Sequence, residues 1–72
     1  MFGKYVKKKA VISMIEDEMK INHRLALNNE TLAKALHRDG SPVEAKWHEE
    51  HRENYYTRYM MCKELLLQLE KL

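Results

Sequence analysis

Hydrophobic positions along this chain fall on a helical beat. In the second half, Tyr55, Tyr59, Cys62, Leu66 and Leu69 are spaced four, three, four and three, which puts them on one face of a helix. No glycine or further proline follows Pro42. A second helix is therefore expected over residues 42–71, about 45 Å long at 1.5 Å per residue. In the first half, Val11, Met14, Glu18, Ile21, Leu25, Asn28, Leu32 and Ala35 alternate in steps of three and four. Six of these eight are apolar, and Glu18 and Asn28 interrupt them. The spacing predicts a first helix over residues 8–38, preceded by a flexible basic arm at 1–7. Two features could shorten it. Ser13 and Glu16 have capping-box spacing, and Asn28-Asn29 could break the helix, with Asn29 capping a short segment beyond it. The continuous helix is the preferred reading.

Between the two patterns lies Asp39-Gly40-Ser41-Pro42. Gly40 suits the left-handed residue just past a helix C-terminus. Ser41 reads as the next N-cap, Pro42 as the first helical residue, and Glu44 as the capping-box partner of Ser41. The prediction is an all-α fold, an antiparallel helical hairpin with its turn at residues 39–41. That turn makes the numbers of facing residues add to about 81. Leu36 then faces Ala45, Leu25 lies near Tyr55 or Tyr56, Ile21 near Tyr59, Met14 near Leu66, and Val11 near Leu69.

One seam does not use all the apolar residues. Ile12, Ile15, Met19, Leu27, Tyr56, Met60, Met61, Leu65, Leu67 and Leu72 fall partly on other faces. A domain of 72 residues also buries only a modest core by itself. The expected solution is a homodimer in which two hairpins form a four-helix bundle. The alternative is a groove that takes a different protein.

Composition narrows the class. The chain is 44% hydrophobic, too apolar for a disordered segment, and its two glycines and one proline are too few for an all-β fold. One cysteine cannot make an internal disulfide, and no apolar run approaches the roughly 18–20 residues of a membrane span. The N-terminal lysines are followed by no apolar stretch of signal-peptide length. A cytoplasmic protein without a membrane segment is expected. The net charge of +2 divides unevenly: residues 1–9 carry +4, residues 10–38 carry 0, and residues 39–72 carry −2.

Candidate chemistry is sparse, and neither an enzyme nor a cofactor is expected. Glu44, His48 and His51 share a helix face and are possible metal ligands, but the spacing is not that of a zinc protease and a solvated face is the plainer reading. Cys62 reads as core, Glu18 as a partner for Lys63, and Asn28 lies near Arg52 in the register. Glu16, Asp17 and Glu18 are consecutive and point in three directions, so they do not form an acid/base pair. Lys4, Lys7, Lys8 and Lys9 form a basic cluster that could meet nucleic-acid phosphates. The competing use is to balance the negative C-terminal end of the second helix, near Glu64 and Glu70. A helix-turn-helix reading from Thr31–Leu36 fails because the would-be recognition helix opens with Glu44, Glu49, Glu50 and Glu53. Tyr55 and Tyr56 cannot share a face, so one of them is available to a second surface. The residues expected to form a protein interface are Trp47, Tyr56, Met60 and Met61.

Overall fold

The computed structural model describes the backbone of residues 2–72 and the side chains from Lys7 onward. Two helices pack against each other: α1, Phe2–Arg38, and α2, Pro42–Glu70. No strand occurs among the described residues. The first helix begins at Phe2 rather than residue 8, so the backbone of the expected basic arm is helical over its described residues, 2–7. It also passes through Asn28-Asn29 without a break. The Asn29 side chain turns back along the helix, its Nδ2 donating to the Leu25 carbonyl at 2.8 Å, a bond that a capping asparagine would not make.

The turn follows the sequence in its first half and departs from it in its second. Gly40 has φ 78°. Its N–H donates to the His37 carbonyl and the Ser41 N–H donates to the Leu36 carbonyl, the bond pair of a Schellman motif. Ser41 stands at the N-cap position and its carbonyl accepts from the Ala45 N–H, but its side chain makes no capping bond. The expected capping box with Glu44 is therefore not formed. The Ser41 backbone sits at φ −114° and ψ 67° as the chain leaves the Schellman turn, and Pro42 sets the first turn of α2. Glu44 still suits that turn, because a carboxylate there meets the positive end of the helix dipole.

The helices pair in the predicted register but with a different face of α1. The inward positions of α1 are Ile12, Ile15, Met19, Asn22, Ala26, Asn29, Ala33 and Leu36. Those of α2 are Ala45, His48, Arg52, Tyr55, Tyr59, Cys62, Leu66 and Leu69. Each α1 seam residue lies one position after the stripe expected from Val11 to Ala35. That expected stripe is real, but it faces outward: Val11, Met14, Ile21 and Leu32 are exposed. Among the described residues the buried apolar ones are Ala26, Ala33 and Ala45, and half-buried Ile12, Ile15, Met19 and Leu36 of α1 fill the rest of the seam against α2.

The result is a rod, 59 × 15 × 11 Å. Its radius of gyration is 16.6 Å, against about 11 Å for a compact domain of this length. No large side chain is fully buried among the described residues, because a two-helix seam covers each one from a single direction.

Candidate interaction surface

The two stripes that flank the seam differ sharply. One step before each seam residue lie Val11, Met14, Glu18, Ile21, Leu25, Asn28, Leu32 and Ala35 on α1. On α2 the same step picks Glu44, Trp47, His51, Asn54, Arg58, Met61, Leu65 and Gln68. Only three of these sixteen, Glu18, Glu44 and Arg58, are Asp, Glu, Lys or Arg, and nine are apolar. One step after each seam residue, nine of sixteen are charged, from Glu16 and Lys20 on α1 to Lys63 and Glu70 on α2. Antiparallel packing brings like flanks together, so the hairpin has an apolar side and a charged side.

Contacts between the helices confirm the sides. On the apolar side, Glu18 of α1 shares a groove with Arg58, Met61 and Leu65 of α2, and Asn22 and Cys62 lie at the seam beneath. On the charged side, His37 Nε2 donates to Glu49 Oε1 at 2.6 Å. Nearby, Glu30 meets Lys34 at 3.4 Å along α1 and Arg52 at 3.8 Å across the seam. The His23 ring lies 5.0 Å from that of Tyr59.

The polar seam residues are satisfied locally. Asn22, 5% exposed, donates from Nδ2 to the Glu18 carbonyl at 2.8 Å and to Glu18 Oε2 at 3.2 Å. Glu18 is thus engaged along α1, and the expected ion pair with Lys63 is not among those found between described residues. Asn29 Oδ1 accepts from His48 Nδ1–H at 2.8 Å. Since an amide oxygen can only accept, this bond sets the tautomer of His48. Arg52, expected near Asn28, turns to Glu30 instead. Cys62 is half-buried in the seam, as its packing role requires.

The other sequence candidates separate. His51 donates Nδ1–H to the Trp47 carbonyl at 2.8 Å, and its ring stacks on Trp47 with centroids 3.7 Å apart. With His48 turned to Asn29, the set Glu44, His48 and His51 does not converge, and no group of three or more His, Cys, Asp or Glu that could hold a metal occurs among the described residues. Lys7 and Lys9 are exposed and Lys8 is half-buried at the end of the seam, so three consecutive lysines point in three directions. The Lys4 side chain lies outside the described ones. Trp47, Tyr56, Met60 and Met61 are all exposed, at 54%, 44%, 43% and 61%. They do not make one patch: Trp47 and Met61 belong to the apolar side, Tyr56 and Met60 to the charged side. The residues missed as surface are Val11, Met14, Ile21 and Leu32. A signal for them existed, since reflecting Tyr55, Tyr59, Cys62, Leu66 and Leu69 through the turn lands on Ala26, Asn22, Met19, Ile15 and Ile12.

No helix among the described residues is long and apolar enough to cross a membrane. No family model, curated protein or solved structure matches this chain.

Proposed function

We propose that this chain is a non-enzymatic protein-interaction module that works as a self-associated dimer, two hairpins forming a four-helix bundle. The observation that carries the reading is its surface. The chain exposes 6086 Å², whereas a folded monomer of its mass exposes about 4,700 Å². The excess, roughly 1,350 Å², is of the size each subunit of an obligate homodimer buries. Much of the exposed surface is large apolar side chains, including Met14, Ile21, Trp47 and Met61, and a row of such residues along one rod is characteristic of an interface rather than of a monomer surface.

Size-exclusion chromatography with light scattering, run across the micromolar range, tests the reading. A mass of two chains is expected. A mass of one chain at every concentration would refute it.

A further inference from the structure

We infer that the apolar side of the hairpin is the face on which a second copy of this chain docks, an assignment that rests on the self-association proposed above. The interior of the bundle would then combine the Val11–Ala35 and Glu44–Gln68 flanking stripes of both copies. Tyr56 and Met60 would remain at the outer surface.

Three observations choose this face and this occupant. The first is desolvation. Covering the charged side would strip water from nine charged groups, and imperfectly paired ions cost several kcal/mol each. Covering the apolar side involves three, and Glu18 already accepts a hydrogen bond from Asn22. The second is area. A face of a rod 59 Å long and 15 Å wide offers about the 800 Å² that each partner buries in a standard interface. The third is charge. Glu18, Glu44 and Arg58 give the side both signs and little net charge, so a second copy meets no field of its own sign. A strongly acidic or basic partner would find nothing to complement. The alanine seam completes the surface. Ala26, Ala33 and Ala45 are buried between the two stripes, and the groove lined by Glu18 and Arg58 lies where the stripes meet.

The test compares Ile21→Glu and Met14→Glu on this side with Met60→Glu on the other, by sedimentation equilibrium. Ile21 and Met14 are 51% and 68% exposed, so neither substitution enters the seam, and circular dichroism should show helicity retained. Ile21→Glu and Met14→Glu should weaken the dimer at least thirtyfold, about the loss of an interface anchor. Met60→Glu should change it by less than about threefold, as expected outside an interface. Cys62 supplies a second measurement on the unaltered chain. It borders the groove, so its alkylation should slow as concentration rises, and should not slow in Ile21→Glu. A wild-type dimer that survives Ile21→Glu and dissociates with Met60→Glu overturns this face while leaving self-association standing. A wild type that stays monomeric overturns both, and leaves the apolar side to a different protein.

Discussion

His48 donates its Nδ1–H to Asn29 Oδ1 at 2.8 Å, joining the two helices across 19 positions of sequence. The same asparagine donates to Leu25 within α1. One side chain thus bonds back along α1 and ties it to α2 in this register. A polar residue in a seam commonly has this second use, since a slipped register would leave its partner unsatisfied.

Asn29→Ala and His48→Ala should each destabilise the hairpin by about 1 kcal/mol, with a coupling energy of roughly 0.5–1.5 kcal/mol between them. A double-mutant cycle by urea unfolding at one fixed protein concentration measures this. A coupling near zero would show that the pair does not tie the helices.

Ala33 and Ala45 are buried in the seam, Ala45 fully. Ala45→Leu or Ala33→Leu should cost about 1–3 kcal/mol by overpacking, although leucine favours helix and adds apolar surface. Val43 is 83% exposed beside the same turn, and Val43→Ala should stay within about 0.5 kcal/mol. Thermal unfolding of the three variants decides it. An Ala45→Leu chain as stable as wild type would mean that the seam is looser than its alanines indicate.

At the turn the two halves separate cleanly. Gly40 has φ 78° with nothing within 4 Å of where a Cβ would sit, so Gly40→Ala should cost about 1–2 kcal/mol from backbone strain alone. Gly40→Asn should cost less, because asparagine tolerates the left-handed region better. Ser41→Ala removes no capping bond and should cost less than about 0.5 kcal/mol, below the usual loss at an N-cap. A loss near 1 kcal/mol for Ser41→Ala would show that its hydroxyl caps α2 in solution.

Much of this fold was legible because its signals are local. The Gly40 turn and the Tyr55–Leu69 face follow from spacing and backbone chemistry, and the turn alone determines the register. The seam of α1 was not legible by the same rule. Spacing picks the row Val11, Met14, Ile21, Leu25 and Leu32, but the neighbouring row shares its period, and spacing alone does not say which one faces the other helix. The inward row has as many apolar positions, Ile12, Ile15, Met19, Ala26, Ala33 and Leu36, and it is the one whose numbers pair with the Tyr55–Leu69 face across the turn. The outward row carries information of its own, because it marks a surface that the single chain does not satisfy. The split of Trp47 and Met61 from Tyr56 and Met60 became visible only when the seam was known, since a flank is defined relative to the seam.

Thermal stability is coupled to assembly in a dimer of this kind. If the dimer is the folded species, unfolding releases two chains, and mass action makes the midpoint rise with concentration. At about 0.7 kcal/mol per residue near 60 °C, the two chains of 72 residues absorb an unfolding enthalpy of about 100 kcal/mol. Each tenfold increase in concentration should then raise the midpoint by about 5 °C. A monomeric hairpin gives no such slope. Differential scanning calorimetry at three concentrations a decade apart distinguishes the two. Ile21→Glu sharpens the comparison: its midpoint should lose the slope and fall below that of wild type, because a single seam whose large apolar residues are only half-buried has less to hold it once its partner is gone.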